Sequence, residues 1–391
     1  MKLKKRIILL LLSFILVTMP VFATETETAV ITEATPVDLK LPCKSAILIE
    51  QTTGQVLYAN NQNEKLPIAS VTKIMTLLLT MEALESGIIS LDENVPISEN
   101  AASMGGSQAY LEVGEAITLH DVLKAVFVSS ANDGAVALAE MISGSVEGFV
   151  ATMNEKAASL GMHDTIFYNP TGLDDGDTNL STANDVAIMS KALLQYDKIY
   201  DYTTIWIDSI RDGAFGLSNT NKLIRFYPGA TGLKTGSTAK AKFCVSASAE
   251  RNGLKLCAVV LAGESSADRF SAAKTLLDYG FANFAFYTPS EVNLTPIPVW
   301  DGLKEETTLT ADVNGILLPK TSAGGIETEV IMESELFAPV EKGQTVGKIL
   351  YRKGNDIVFE SPILTAESVD KISFSQILRR LLLLFFTGST K

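Results

Sequence analysis

The chain has 391 residues, of which 47% are hydrophobic and 20% are charged, so it can bury a large core and form more than one domain. Its formal net charge of −13 argues against nucleic acid as a partner, because phosphate binding requires a basic surface. The only two histidines, His120 and His163, leave little room for a histidine-rich metal site.

Residues 1–23 have the pattern of a secretory signal peptide. A basic start is followed by an apolar stretch and by the ending Val21-Phe22-Ala23. An uncleaved membrane anchor is the alternative. We therefore expect an exported protein that works outside the cytoplasmic membrane, with residues 24–40 as a polar tether.

The next region predicts a β-hairpin followed by helices. Two β-rich runs, SAILIE and QVLYAN, flank Thr53-Gly54, which is typical of a hairpin. Apolar periodicity then predicts a helix from about Ser70 to Glu85 and further helices over most of 118–160, the first of them capped by Thr118. Another helix is predicted to open at a capping box formed by Thr182 and Asp185 and to run through Leu194.

A second hairpin is predicted around Asn252-Gly253, which joins KFCVSASAE to KLCAVVLAG. This turn would pair residue 249 with about 256, so Cys244 and Cys257 would not face each other. We expect both, and Cys43, to be free and mostly buried thiols. With a further helix over about 267–286, the order predicts an α+β domain over residues 41–288, an antiparallel sheet with helices packed on it.

The remaining chain predicts a small all-β domain and a terminal helix. Residues 289–366 contain short alternating runs separated by Gly and Pro. In residues 367–391, polar side chains recur at three- and four-residue steps across 368–386, and apolar side chains, including Val369 and Ile372, fill the other side. The apolar run Leu381–Phe386 is too short to span a bilayer. We expect an amphipathic helix in the membrane interface; packing on the protein's own core is the alternative.

Ser-x-x-Lys is the first motif that could carry chemistry, and it is weak alone. It occurs at Ser70/Lys73, Ser237/Lys240, Ser271/Lys274 and Ser368/Lys371. Only the first copy opens an apolar helix directly after a strand hairpin, and a helix start supplies free backbone N–H groups for an oxyanion. A plain helix start with a serine near its cap is the alternative.

Ser-x-Asn is equally weak and occurs at Ser98/Asn100 and Ser130/Asn132. The second copy lies in VFVSSANDGAVAL, a short break between two apolar helical stretches. Polar side chains in such a break cap a helix or serve a function; capping by Asn132 is the simpler interpretation, and the two roles are compatible.

Lys-Thr-Gly occurs once, at Lys234-Thr235-Gly236, directly before a predicted strand, and Ser237 adds a second hydroxyl. A lysine, two hydroxyls and a glycine without Cβ would let a small anion approach the strand edge. A basic patch surrounds the motif, although its outer lysines suit a solvated hairpin: Lys222, Arg225, Lys240 and Lys242.

In this order, Ser-x-x-Lys, Ser-x-Asn and Lys-Thr-Gly are the signature of penicillin-binding proteins and serine β-lactamases. The chain resembles a low-molecular-mass penicillin-binding protein of the D-alanyl-D-alanine carboxypeptidase family, peptidase S11, and is similar to its sporulation-associated branch. The stretches YNPTGLDDG at 168–176 and STANDVAIMSKALL at 181–194 agree. The resemblance implies a five-stranded antiparallel sheet flanked by helices, with the active site at the sheet edge.

The resemblance also implies roles for the motif residues. Ser70 would attack the carbonyl between the terminal D-alanines of a peptidoglycan stem, and Lys73 would take its proton. Ser130 would relay a proton to the leaving D-alanine, and β-lactams would acylate Ser70. The backbone N–H groups of Ser70 and Ser237 would form the oxyanion hole, and no metal or cofactor is required. The substrate would be held by Asn132, Lys234, Thr235, Gly236 and Ser237.

Several alternatives stay open. A β-lactamase with the same motifs would need an acid between Ser130 and Lys234 to position water, and no Glu-x-x-Leu-Asn pattern occurs there. A transpeptidase or endopeptidase would differ in the acyl acceptor or substrate, and a non-catalytic wall-binding protein is the last alternative. Ala241-Lys242-Phe243 replaces the Ala-Gly-Tyr of many relatives, which leaves the subgroup and fine substrate detail open.

Overall fold

The computed structural model describes residues 37–174, 176–290, 292–311 and 315–387. The predicted signal peptide, residues 1–23, and residues 24–36 of the predicted tether lie outside these described residues.

Up to residue 283 the chain alternates between hairpins and helices. The strands are β1 (Ser45–Glu50), β2 (Val56–Asn60), β3 (Leu66–Pro67), β4 (Leu180–Ser181), β5 (Ile207–Ile210), β6 (Phe215–Ser218), β7 (Ala230–Thr238), β8 (Lys242–Arg251) and β9 (Leu254–Gly263). The α-helices are α1 (Lys73–Glu85), α2 (Glu99–Ala102), α3 (Leu119–Val128), α4 (Asn132–Ser143), α5 (Val146–Ser159), α6 (Ala183–Leu193), α7 (Tyr200–Thr203), α8 (Leu223–Phe226) and α9 (Ser266–Asn283). Short 3₁₀ helices cover Ala69–Thr72 and Asp197–Ile199.

Five strands form one antiparallel sheet in the order β2-β1-β9-β8-β7, with helices on both faces, which confirms the expected α+β architecture. Side chains along β1 alternate between the faces: Ile47 and Ile49 join the core formed with α1, α3, α4 and α6, whereas Ala46 and Leu48 pack with α9. A sheet buried on both faces needs small or apolar side chains throughout, which explains the unbroken run AILI in β1.

The predicted turn between β8 and β9 forms at Asn252-Gly253, where both residues have positive φ, 51° and 78°, in agreement with a type I′ hairpin. Ala249 pairs with Leu256 as predicted, and Cys257 pairs with Ser248. Cys43, Cys244 and Cys257 are free thiols; the latter two are buried and Cys43 is half-buried.

Two predicted helix caps form. Thr118 Oγ1 accepts from the N–H of Asp121, and Thr182 Oγ1 accepts from the N–H of Asp185 at 3.0 Å. The Asp185 carboxylate, however, accepts from the N–H of Asp164 and from Thr165 Oγ1. Of the predicted capping box, only the hydrogen bond to Thr182 Oγ1 is therefore present, because donors from another segment of the chain occupy the Asp185 carboxylate.

The second region is rich in strands, as predicted. Its elements are β10 (Phe284–Tyr287), β11 (Ile297–Trp300), β12 (Glu306–Thr307), β13 (Leu309–Ala311), β14 (Ile316–Pro319), β15 (Glu327–Met332), β16 (Leu336–Phe337), β17 (Thr345–Lys353), β18 (Asp356–Thr365) and α10 (Phe374–Thr387). The helix predicted over 267–286 ends at Asn283, so its predicted end is wrong. Phe284 and Phe286 turn to the same side of β10 and pack with the core that contains Leu317 of β14, which pairs with β10.

The terminal helix α10 begins at Phe374, so the start predicted near residue 368 is wrong. Val369, predicted on the apolar side of that helix, is 1% exposed in the β-domain core and exchanges two backbone hydrogen bonds of 2.9 Å with Val340. The Ile372 N–H likewise donates to the Asp301 carbonyl at 2.8 Å. Within the described residues no single helix is long and apolar enough to cross a membrane. Helices α4 and α5 together have the length and apolar composition of a membrane span, but the chain bends by 84° between them.

Candidate active site

Ser70 lies in the 3₁₀ helix Ala69–Thr72, which leads directly into α1 at Lys73, so the helix predicted from about Ser70 begins there as a 3₁₀ turn. A 3₁₀ helix has three residues per turn, which places positions i and i+3 directly above one another. Lys73 Nζ accordingly lies 3.0 Å from Ser70 Oγ. Ala69 has a φ of 47°, which is disfavoured for a residue with a Cβ, so the turn that carries Ser70 is strained.

Lys73 connects the 3₁₀ turn Ala69–Thr72, called the nucleophile turn here after the predicted role of Ser70, to two other parts of the site. Its side chain is fully buried, and Nζ donates to Asn132 Oδ1 at 2.6 Å and to the Thr171 carbonyl at 2.7 Å. Together with Ser70 Oγ, these oxygens give the nitrogen three close partners from separate segments of the chain.

Both buried lysines of the site have lowered pKa values. Burial is the main cause for Lys73, whose pKa falls well below its ordinary value; the positive charge of Lys234 lowers it further, and the Asp133 carboxylate opposes the shift. Burial, with a contribution from Arg269, lowers the pKa of Lys234 to about 7. Burial and the neighbouring positive charge both favour the neutral amine of Lys73, which is the form that can accept a proton.

The break between α3 and α4 contributes Ser130 and Asn132. Ser130 has a φ of 64°, and its buried Oγ has no hydrogen-bond partner in the described part of the chain. Ala131 occupies the N-cap position of α4, so the capping interpretation of Asn132 is wrong. Asn132 instead accepts from Lys73 and donates through Nδ2 to the Gly105 carbonyl at 2.7 Å.

The Lys-Thr-Gly motif lies inside the edge strand β7 rather than before a strand. Lys234, Thr235 and Gly236 are buried, Ser237 is exposed, and Thr235 Oγ1 donates to Thr220 Oγ1 at 2.8 Å. A Cβ on Gly236 would lie 2.9 Å from the Ser70 nitrogen. Glycine at this position therefore lets β7 approach the nucleophile turn closely.

Arg269 in α9 supports β7 and belongs to none of the motifs. Its buried guanidinium donates through Nη1 to the carbonyls of Gly236 at 3.0 Å and Cys244 at 3.3 Å, on neighbouring strands. Its charge contributes to the lowered pKa of Lys234. The only sequence signal is an arginine beside the apolar residues of α9, which does not identify its partners.

The segment 169–173 closes the site from another side, although sequence reasoning assigned it no role. Asn169 Oδ1 accepts from the N–H groups of Thr171 at 3.1 Å and Gly172 at 2.6 Å, which fixes the carbonyl that faces Lys73. Gly172 has a φ of 80°, and a Cβ there would lie 1.9 Å from the Ala69 carbonyl oxygen. The glycine thus permits direct packing of this segment on the nucleophile turn.

The other copies of the weak motifs have different surroundings. In the other Ser-x-Asn copy, Ser98 and Asn100 both donate to Glu140. In the other Ser-x-x-Lys copies, Lys240 donates to Thr178, Ser271 lies in α9 and Lys371 pairs with Asp301. His120, one of the two histidines, contacts the Tyr202 hydroxyl. Among the residues that the structure describes, no group of three or more His, Cys, Asp or Glu side chains could hold a metal ion.

Fold and site together define a class of protein. Ser-x-x-Lys and Ser-x-Asn meet at Lys73, and Gly236 brings Lys-Thr-Gly against the same turn at the edge of an antiparallel sheet flanked by helices. This combination is that of the active-site-serine enzymes that recognise penicillin.

Comparisons with known proteins narrow the class to a family. Residues 30–265 match the Peptidase S11 family, described as D-alanyl-D-alanine carboxypeptidase, and residues 281–371 match the C-terminal domain of penicillin-binding protein 5. The D-alanyl-D-alanine carboxypeptidase DacF of Bacillus subtilis (strain 168) is 41% identical, over 88% of this chain and 90% of that protein. DacC of Escherichia coli (strain K12) is 32% identical, over 89% of each chain. The crystal structure of penicillin-binding protein 5 from Haemophilus influenzae has a TM-score of 0.74 and 29% identity, over 86% of this chain and 100% of that chain.

The chain belongs to the D-alanyl-D-alanine carboxypeptidase family, Peptidase S11, and is therefore an enzyme of a serine hydrolase family.

Proposed function

We propose that this enzyme removes the terminal D-alanine from peptidoglycan pentapeptide stems through an acyl-enzyme on Ser70. The 3.0 Å contact between Lys73 Nζ and Ser70 Oγ carries the proposal, because a serine hydroxyl needs a base to act as a nucleophile at neutral pH. A neutral lysine amine has two N–H donors and one lone pair. Asn132 Oδ1 and the Thr171 carbonyl accept the two N–H bonds, which leaves the lone pair for the Ser70 hydroxyl proton.

Acylation then proceeds in two steps: a bond to Ser70 forms, and the bond to the leaving D-alanine breaks. Ser70 Oγ bonds to the carbonyl carbon between the two D-alanines while Lys73 accepts the hydroxyl proton. The C–N bond breaks next, and the leaving amine receives a proton through Ser130, whose unpartnered Oγ is free to accept and donate. Water finally attacks the ester carbonyl and gives a proton to Lys73, the C–O bond to Ser70 breaks, and Lys73 returns that proton to Ser70 Oγ while the shortened stem leaves with a new carboxyl group.

The substrate carboxylate is assigned to Lys234, Thr235 and Ser237, and the substrate amide to Asn132. A carboxylate beside Lys234 stabilises its ammonium form and would raise its pKa above the value of about 7 in the free site. The oxyanion hole is assigned to the backbone N–H groups of Ser70 and Ser237. The close approach of Gly236 to the Ser70 nitrogen supports this assignment, because Ser237 is the next residue of β7.

The acylation rate is expected to rise with pH as Lys73 loses its proton. Only the neutral amine can accept the serine proton, and burial together with Lys234 lowers the pKa of Lys73 well below 10.5. The rising limb should have its midpoint well below that pH when the second-order rate constant for a fluorescent penicillin is measured across the pH range. A rate that still climbs about tenfold per pH unit near pH 10 would contradict a lowered Lys73 pKa.

Product analysis tests the reaction itself. The proposal requires release of D-alanine from a pentapeptide stem and slow decay of the penicilloyl-enzyme. Decay on a timescale of seconds would identify a β-lactamase instead. Cleavage of cross-linked stem dimers without release of D-alanine from the pentapeptide would identify an endopeptidase.

The proposal includes export of the enzyme and peripheral attachment to the outer face of the cytoplasmic membrane through α10. The described apolar side chains of α10 form one stripe and are 41–84% exposed. This apolar stripe consists of Phe374, Ile377, Leu378, Leu381, Leu382, Phe385 and Phe386. Arg380, about 140° around the helix from the centre of the stripe, donates to the Leu303 carbonyl at 2.7 Å. Contact with the β-domain through the opposite side argues against packing of the stripe on the protein's own core and supports binding to a bilayer interface.

A chain that ends at Ile372 is expected to keep penicillin labelling and to lose co-sedimentation with vesicles that contain phosphatidylglycerol. The cut spares Val369, whereas a chain ended before Ser368 would lose this β-domain core residue. The full-length Leu378→Ser/Leu381→Ser variant should also bind these vesicles more weakly. Gln376→Ser is the control, because Gln376 lies outside the apolar stripe, and this variant should bind vesicles like the unmodified chain. Equal sedimentation of the truncated and full-length chains would refute anchoring by α10.

A further inference from the structure

The β-domain exposes a pair of aromatic side chains outside α10. Trp300 at the end of β11 and Phe337 in β16 are 56% and 67% exposed, and they are in-register partners across this parallel strand pair. In-register residues of neighbouring strands point to the same side, so the two rings lie on one side of the sheet and are called the aromatic pair here. Trp300 Nε1 donates to Glu335 Oε2 at 2.7 Å, which orients the indole ring.

The aromatic pair lies beside the attachment of α10. The Ile372 N–H donates to the carbonyl of Asp301, the residue after Trp300, and Arg380 of α10 donates to the Leu303 carbonyl. Trp300 and Arg380 line the same surface cavity. The short segment 300–303 therefore carries one ring of the aromatic pair and also holds α10, so the pair and the helix belong to one region of the β-domain.

We infer that Trp300 and Phe337 are a second membrane contact, which enters the same bilayer interface that α10 binds. Tryptophan suits this interface because its ring is apolar and its N–H is polar. Arg379 of α10 is exposed and carries a positive charge that anionic headgroups attract. Two contacts fix the rotation of the β-domain about the helix axis, and thus the direction in which the active site faces, whereas one interfacial helix would leave this rotation free. The inference rests on the proposed anchoring by α10.

The chain contains two tryptophans, Trp206 and Trp300, so Trp206→Phe leaves Trp300 as a single fluorescent reporter. On addition of vesicles of phosphatidylglycerol and phosphatidylcholine, Trp300 emission should shift to shorter wavelength, and lipids brominated on their acyl chains should quench it. Unchanged emission and quenching in protein that co-sediments with the vesicles would overturn the second contact and leave α10 anchoring intact. Failure of the full chain to bind vesicles would overturn both.

Substitution provides an independent measurement. The Trp300→Ser/Phe337→Ser variant should partition into these vesicles on the order of tenfold more weakly while it keeps penicillin labelling. Val330→Ser/Ile331→Ser is the matched control, because these β15 side chains are also exposed, 41% and 45%, and lie on another sheet. Equal partitioning of the two variants would overturn the inference. A blue shift of Trp300 that follows protein concentration without vesicles would also overturn it, because it would identify a second copy of the chain as the occupant.

Discussion

Replacement of Ser70 by alanine is expected to abolish covalent labelling by fluorescent penicillin and to lower D-alanine release by about 10⁴-fold or more. In the proposed mechanism the acyl bond forms to Ser70 Oγ, and the substitution removes only that atom. The variant should remain folded, because Lys73 keeps its hydrogen bonds to Asn132 and Thr171. Gel fluorescence after incubation with the penicillin measures labelling, and a thermal melt verifies the fold.

Ser271→Ala is the matched control, because Ser271 begins another Ser-x-x-Lys copy, lies in α9 and is exposed. This variant should label like the unmodified chain. Normal labelling of Ser70→Ala would assign the nucleophile to another residue. If the folded, unmodified chain did not label at all, a non-catalytic wall-binding protein would be the better interpretation.

Gly172→Ala is expected to disrupt the site although it changes no motif residue. The new Cβ would lie 1.9 Å from the Ala69 carbonyl oxygen and 2.9 Å from the Ser70 nitrogen, and the φ of 80° adds about 1–2 kcal/mol of strain. Either the 169–173 segment or the nucleophile turn must move, which separates Lys73 from one of its partners. A misplacement of about 1 Å costs on the order of 10²-fold in rate, so we expect at least that loss of acylation. The free energy of unfolding should fall by about 2–4 kcal/mol.

The Gly176→Ala variant is the control that separates the effect of the steric contact at Gly172 from the effect of its positive φ. Gly176 also has a positive φ, 92°, but a Cβ there would meet no described atom within 4 Å. We expect a loss of about 1–2 kcal/mol in stability and nearly normal acylation, measured by denaturant unfolding and penicillin labelling. If both variants lost acylation equally, backbone strain rather than packing on the nucleophile turn would explain the role of Gly172.

Local features of the sequence were sufficient to predict those elements whose structure is decided by neighbouring residues. Asn252-Gly253 specifies its hairpin because both residues tolerate positive φ, and this turn determined the register of β8 and β9. Thr118 and Thr182 cap their helices with hydroxyls that reach an N–H three residues on. Distant partners decided the elements that were predicted wrongly: α9 stops where β10 pairs with β14, and α10 starts only after Val369 has paired with Val340.

The order of three short motifs, read from the sequence alone, was enough to identify the family, since each motif reflects a local chemical requirement. The same order, with the position after a hairpin, favoured Ser70/Lys73 over the other Ser-x-x-Lys copies as the predicted site. Only the tertiary structure revealed how Lys73 is held, because Asn132 and Thr171 are 59 and 98 residues away in the chain. The same holds for Arg269 behind Gly236 and for Gly172 against Ala69, where the decisive quantity is an approach of a few ångströms between distant segments. Burial of Lys73 and Lys234 in one site lowers their pKa values, and burial is a property of the packed fold rather than of either residue type.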